Sequence, residues 1–401
     1  MKTVAIVCEY NPFHNGHKYQ IDSIKRDFGE DTAIIAIMSG NFVERGDVAI
    51  LDKFKRARIA VENGVSLVLE LPFPFSLAGA EGFAQAAVSI AEGLGTVDAL
   101  SFGSECGSLE DLSRACDRVL SEDFDCALKA LLATDGNEAL GYARARTLAY
   151  ETLYGKNEAE ILLSPNNILA IEYLKALKKL GSSILPHTVL RNGTDKDSTD
   201  TATHAGATYI RSLFYKGKTE EALLHIPKTA QNTVLEAIKD REMPASIHAL
   251  SSAVLTSLRV PRGEREIAEC AGGLYEYLSK KAKEASTLDE LFKIASTKKY
   301  TDARIRRAAL YSFFGVTPAE ARESVLYTQV LAMDGIGQAV LHHIRKTAEI
   351  AVITKPADLR KLSPDAKAQA ERAYRADSVY ALTLPVPRAA DFFLRISPFR
   401  K

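Results

Sequence analysis

The sequence predicts an α/β protein: a Rossmann-like parallel sheet within residues 1–230, followed by an all-α C-terminal domain over residues 231–401. Three observations point there. Residues Thr3 to Cys8 are a run of small and β-branched residues, and Asn11-Pro12 brings it to a stop. Four similar runs follow, separated by helical patterns. Beyond about residue 230 the patterns are helical, with no clear strand alternation.

The first strand leads into Val7-Cys8-Glu9-Tyr10-Asn11-Pro12-Phe13-His14-Asn15-Gly16-His17, where a helix begins with Lys18-Tyr19-Gln20. A parallel strand ends at the sheet edge where open α/β folds bind ligands, and the next helix offers unpaired N–H groups and a positive dipole end to phosphate. Gly16 lets a phosphate approach the backbone. His14 and His17 are then donors to negative charge building on an α-phosphate under attack. Two loop histidines can also be plain surface residues, but the apolar strand directly before them favours a site.

The second strand, Thr32 to Met38, ends in Ser39-Gly40-Asn41; the third runs from Val65 to Pro72. The fourth, Val97 to Phe102, ends in Gly103-Ser104-Glu105, and the fifth, Ser182 to Leu190, ends in Arg191. Parallel strand ends converge on one edge, so Gly103 and Arg191 are expected beside the histidines. Between the second and third strands, Arg45, Lys53 and Arg56 suit a phosphate or carboxylate, or belong to an exposed mixed-charge helix. Residues 108–165 read as a helical insertion. Asn166 follows Pro165 at a helix start, as a cap or as a hydrogen-bonding partner for adenine or ribose. A polar loop from Gly193 to Thr203 leads to His204, and the helix after it carries Thr208 and Arg211; the stretch resembles a nucleotidyltransferase motif whose Ser/Thr and Arg meet pyrophosphate, which makes Arg211 a phosphate clamp, the alternative being a surface arginine on a helix.

The 401 residues hold 51 Lys+Arg and 51 Asp+Glu, a balance that conceals an asymmetry. Residues 1–240 carry 25 basic against 33 acidic side chains, residues 241–401 carry 26 against 18, a difference of −8 and of +8. A basic half beside a phosphate-site half suits a nucleic-acid partner; an unspecific solvated surface is the alternative. Within it Lys298, Lys299 and Tyr300 precede Arg304 and Arg307, which share one helical face, a set suited to RNA phosphates and a stacked base. Five dispersed cysteines without a CxxC pair argue against a disulfide framework and a zinc site. The N-terminal apolar run is too short for a signal peptide, and no segment is long enough to span a membrane, so a cytoplasmic location is expected.

The turn resembles the HIGH-motif nucleotidyltransferase superfamily. Together with Met38-Ser39-Gly40-Asn41-Phe42, Arg45-Gly46, Leu69-Glu70-Leu71-Pro72, Phe102-Gly103-Ser104-Glu105, Pro165-Asn166-Asn167-Ile168-Leu169 and the Lys299 to Arg307 run, it is similar to the bacterial tRNA(Met) cytidine acetate ligase family over most of the chain. That resemblance implies an enzyme that uses ATP and acetate to form acetyl-adenylate, then acetylates N4 of the wobble cytidine of elongator tRNA(Met). It places ATP on Val7 to Gln20, Gly103, Asn166 and Arg191, with Mg²⁺ accompanying the nucleotide and no dedicated metal site. Glu44 and Asp47-Val48 depart from the family's Gln and Glu-Pro, and no Tyr-His pair follows Arg191. Two other classes stay open: a small-molecule adenylyltransferase, and a non-catalytic RNA-binding relative. The acetate pocket and the oligomeric state, a homo-oligomer included, are not specified.

Overall fold

A computed structural model describes residues 1–133, 141–191, 206–260 and 266–401 of the protein. The predicted loop from Gly193 to Thr203, and His204, lie outside the described residues. Ten strands occur among the described residues: β1 (Thr3–Cys8), β2 (Ala33–Ser39), β3 (Phe42–Val43), β4 (Asp47–Val48), β5 (Leu67–Leu71), β6 (Ala99–Ser104), β7 (Leu185–Leu190), β8 (Tyr327–Met333), β9 (Ala351–Ile353) and β10 (Phe399–Arg400). Eight of them form one sheet in the order β10-β8-β5-β2-β1-β6-β7, with β9 on β8; β3 and β4 form a separate hairpin.

Strands β5, β2, β1, β6 and β7 are parallel, each within a few residues of its expected position. β1, β2 and β5 are largely apolar on both faces because both faces are covered, whereas the edge strand β7 stays half-buried or exposed along most of its length. In β1 and β2, Val4, Ile6, Ile34, Ala36 and Met38 feed a core that includes Ile21 and Ile24 of the first helix. The alternate residues Ala5, Ile35 and Ile37 pack with Phe83, Val88, Ile171 and Leu174 on the opposite face. Burying each of the larger side chains stabilises the fold by about 1.5–3 kcal/mol. The chain leaves β1 toward β2 and β5, then returns to the other side of β1 for β6 and β7. The crevice at this reversal, beyond the carboxyl ends of β1 and β6, is where such sheets bind ligands.

Residues after 230 are helical through Pro318–Arg322, as expected, but the chain then rejoins the sheet. β8 pairs antiparallel with β5, and β10 pairs with β8. All seven residues of β8 are buried, so its sequence lacks the two-residue alternation that would distinguish it from a buried helical segment. The first core continues across residue 230 to Leu255, Ile305, Ala373 and Phe393. The two sequence halves therefore share a sheet and a core.

The charged stretch between β2 and β5 serves this architecture. Lys53, 1% exposed, places Nζ 2.7 Å from both Glu70 oxygens and 2.7 Å from Asp377 Oδ2. Asp377 lies on the Pro364–Tyr380 helix, so this buried ion triad fastens the C-terminal region to β5. Arg56 is fully buried and donates to the carbonyls of Leu51 (2.8 Å), Gly40 (2.6 Å) and Glu9. The expectation that Lys53 and Arg56 meet a phosphate is corrected: both are consumed inside the protein, holding the ends of β1 and β2 in place. Arg45 is exposed.

Candidate active site

After β1 the backbone turns sharply at Tyr10, a non-glycine residue at φ +47°. Residues Tyr10 to His14 are buried; Val7, Cys8 and Glu9 are half-buried. The Tyr10 ring is wedged against Phe13 (4.8 Å between centroids) and His17 (4.9 Å), which holds the unfavourable backbone. Two further contacts pin the turn: Asn11 Oδ1 accepts from Ile50 N (2.8 Å), and Arg211 Nη1 donates to Asn11 O (2.8 Å).

His14 is the N-cap of the Asn15–Phe28 helix, and the two histidines cap it reciprocally. His14 Nδ1 accepts from Gly16 N at 3.1 Å; His17 Nδ1 accepts from His14 N at 3.2 Å. The rings stack 3.7 Å apart at 23°. Each acceptor bond fixes a tautomer: a neutral ring whose Nδ1 accepts must carry its proton on Nε2. Burial, and the nearby His14 and Arg191, hold the His17 pKa well below its ordinary value, so this ring is neutral at pH 7. His17 thus carries its Nε2–H on a neutral imidazole, with the His14 ring stacked against it.

The expectation of unpaired helix N–H groups is corrected here. Asn15 N donates to His225 O (3.0 Å), Gly16 N is taken by His14, and His17 N and Lys18 N both reach His14 O. The first turn is internally satisfied because histidine supplies the cap that Ser or Asp usually supplies. Farther along, Lys18 pairs with Asp22, Gln20 Nε2 lies 3.4 Å from Ser101 O, and Tyr19 is half-buried.

Gly103, Asn166 and Arg191 do come together at the same edge. Arg191 N donates to Ser104 O (2.9 Å), and a Cβ on Gly103 would stand 3.0 Å from Arg191 Cγ. The Arg191 stem therefore lies across Gly103, within electrostatic range of His17. Asn166 is neither N-cap nor free amide: its Nδ2 donates to Glu105 Oε1 at 2.6 Å. Glu105 and Asn167, neither of them expected to act here, build this corner. Glu105 accepts from the N–H groups of Asn166 (3.2 Å) and Asn167 (2.8 Å), capping the Pro165–Leu180 helix, while Asn167 Oδ1 accepts from Glu105 N (2.9 Å) and Cys106 N (3.2 Å). Their signals in the sequence were an acid ending a strand and their place in the motifs Phe102 to Glu105 and Pro165 to Leu169.

Thr208 and Arg211 adjoin the turn, with Arg211 Nη2 3.2 Å from Thr208 Oγ1. The basic run lies elsewhere. Lys298 and Lys299 are exposed, and Arg304 is half-buried against Glu269 O (3.3 Å). Two members are corrected. Tyr300 is buried with its hydroxyl on Gly272 O (3.0 Å), so its ring is not offered for stacking. Arg307 is 8% exposed and aimed inward at Glu269 and Glu44. Lys299, Arg304 and Arg307 line a cavity of about 1850 Å³ of mixed charge, whose walls also carry Glu151, Glu269 and Glu276. Neither histidine lines it.

Among the described residues, no cluster of three or more His, Cys, Asp or Glu side chains is arranged to hold a metal, and no helix is long and apolar enough to cross a membrane. All five cysteines are free thiols.

Residues 1–391 match the HIGH Nucleotidyl Transferase family. The chain is 36% identical over 389 residues to the tRNA(Met) cytidine acetate ligase of Caldanaerobacter subterraneus subsp. tengcongensis, with 95% of each chain covered. The chain belongs to the tRNA(Met) cytidine acetate ligase family. A second member, from Thermoanaerobacter sp. (strain X514), is 34% identical over 388 residues, again with 95% of both chains covered. The fold agrees: Thermotoga maritima TmcAL bound with alpha-thio ATP superposes with a TM-score of 0.89 at 29% identity, covering 100% of this chain and 99% of that one. Its apo form gives 0.90 at 30% identity, with the same coverage. The family's HIGH motif falls here on His14 to His17.

Proposed function

We propose that this chain activates acetate with ATP and transfers the acetyl group to N4 of the wobble cytidine of elongator tRNA(Met). The observation that carries the proposal is the stacked, reciprocally capped pair His14 and His17 at the sheet's reversal point, in a chain of this family. An acetate oxygen attacks the α-phosphorus in line, the bond to the bridging oxygen breaks, and pyrophosphate leaves. Negative charge grows on the α-phosphoryl oxygens, and the oriented imidazoles stabilise it there more than in the ground state. Arg191, and Arg211 with Thr208 once released from their mutual contact, would meet the remaining phosphates. Mg²⁺ would accompany the nucleotide, held largely by its phosphates.

In the second step the cytosine N4 attacks the acetyl carbonyl, the bond to the phosphate oxygen breaks, the amine loses its proton, and N4-acetylcytidine and AMP leave. The wobble base must be presented out of its stack. The test is acetate-dependent exchange of labelled pyrophosphate into ATP, followed by acetylation of a tRNA(Met) transcript. Exchange supported only by another acid, or none, would refute the proposal.

A further inference from the structure

We infer that Arg307 is a positioning residue for the catalytic turn, acting through the β3–β4 hairpin rather than on RNA; the inference rests on the acetate-activating function for its rate assay. Arg307 sits on the Asp302–Phe314 helix, far along the chain from the histidines. Its Nε and Nη2 meet Glu269 Oε1 and Oε2 at 3.2 and 3.3 Å, and Nη1 donates to Glu44 O at 3.3 Å while lying 3.5 Å from Glu44 Oε1. Three of its nitrogens are thus directed into the protein, and none of these contacts resembles a phosphate arm.

Glu44 is the next link. Its N–H donates to Glu9 Oε1 at 2.9 Å, and Glu9 directly precedes Tyr10, whose ring supports His17. On the far side of the hairpin, Ile50 N holds Asn11 Oδ1. The segment therefore grips the catalytic turn on both sides of Tyr10. It is seated on the Arg307 helix at a second point: a Cβ on Gly46 would fall 2.4 Å from Arg306 Cβ and 2.6 Å from Arg307 N, a contact only glycine permits. Glu9 and Glu44 are both buried enough to be pushed above the ordinary carboxyl range, opposed for Glu44 chiefly by Arg307. Without Arg307, the Glu44 and Glu269 carboxylates would face each other with their shared guanidinium gone, and the hairpin would lose its seat.

The experiment uses the full chain with Arg307→Ala, Arg307→Lys, Glu9→Gln, the Arg307→Ala/Glu9→Gln double variant, and Gly46→Ala, which displaces the hairpin while leaving Arg307 intact. Acetate-dependent exchange, binding of an anticodon stem-loop RNA at several salt concentrations, and the thermal midpoint are measured. Arg307→Ala and Gly46→Ala are expected to lower the exchange kcat about 10- to 100-fold, the size that follows a small misplacement of reacting groups. RNA affinity should stay within about twofold with an unchanged salt slope, since no phosphate contact is lost. Arg307→Lys should recover part of the rate, and the double variant should lose no more than its worse single parent. Unchanged exchange, a salt slope reduced by about one, multiplicative losses, or a rate loss fully accounted for by unfolding would each overturn the inference. If the unaltered protein shows no exchange with acetate, the function falls instead. The positioning role is then read from affinity for an ATP analogue, which Arg307→Ala and Gly46→Ala must weaken if the inference holds.

Discussion

His17 has two separable jobs, and two substitutions divide them. Its Nδ1 accepts from His14 N at 3.2 Å, which stabilises the turn; under the proposed function its Nε2–H would be the donor to a reacting phosphate. Asparagine places a polar atom near Nδ1 but none at Nε2, whereas glutamine reaches the Nε2 position and abandons Nδ1. His17→Asn should therefore keep the cap and lose the donor. Losing one oriented donor to a developing oxyanion costs about 2.7–4 kcal/mol, so exchange should fall about 10²- to 10³-fold. His17→Gln should retain more of the rate but lose the reciprocal cap, about 0.5–2 kcal/mol of stability beyond His17→Asn. Both variants forfeit the ring stack on His14 at 3.7 Å and the edge contact with Tyr10, about 0.5–1.5 kcal/mol for a favourable aromatic pair. Pyrophosphate exchange and denaturant unfolding, measured side by side, give the two axes. A His17→Asn enzyme within threefold of the parent rate, or a His17→Gln enzyme no faster than His17→Asn, would refute the assignment of Nε2 as the donor.

Three other outcomes are expected. Gly103→Val sets branched bulk against the Arg191 stem, where even a Cβ stands 3.0 Å from Cγ, so KM for ATP should rise several-fold with little change in the unfolding midpoint, as steady-state kinetics and thermal melts would show. Glu105→Ala removes the acceptor for two helix N–H groups and the Asn166 amide, costing about 1–2 kcal/mol and weakening ATP binding; equal binding in equilibrium titration would separate Asn166 from the nucleotide site. Because His17 has a depressed pKa when folded, acidification favours the unfolded chain, whose imidazole titrates near 6.5: its share of stability is complete above that value and is lost as pH falls toward the folded pKa. Denaturant midpoints between about pH 7 and about pH 5.5 should therefore fall more steeply for the parent than for His17→Asn.

Much of this site was legible because its parts are local. Thr3 to Cys8 is an apolar run, Asn11-Pro12 ends it, and two histidines follow at once; one strand, one turn and one helix start suffice to place them. Parallel topology then brought Gly103 and Arg191 to the same edge without knowledge of any contact. The parts that stayed hidden depend on partners distant in sequence. Lys53 and Arg56 look like any charged helix until Glu70, Asp377 and three carbonyls are found around them, and the same ambiguity covers Arg307. A cation's role follows from the acceptors around it, and those are set by the fold.

β8 illustrates the same limit for the backbone. A strand with one wet face advertises itself by alternation, but Tyr327 to Met333 is covered on both faces by helices from each half of the chain. Its burial is therefore the reason it could not be recognised, and also the reason it matters. With β8 against β5, and with Asp377 reaching Lys53 beside Glu70, the last third of the chain completes the sheet that carries the histidines. Arg307, Gly46 and the 42–48 hairpin extend that dependence to the turn itself. A basic helical region that had only to bind RNA could be joined to the sheet by a linker. Here it is built into the structure that orients His14 and His17, so the C-terminal basic run and the histidine turn are held in one frame, as the proposed two-step transfer would require.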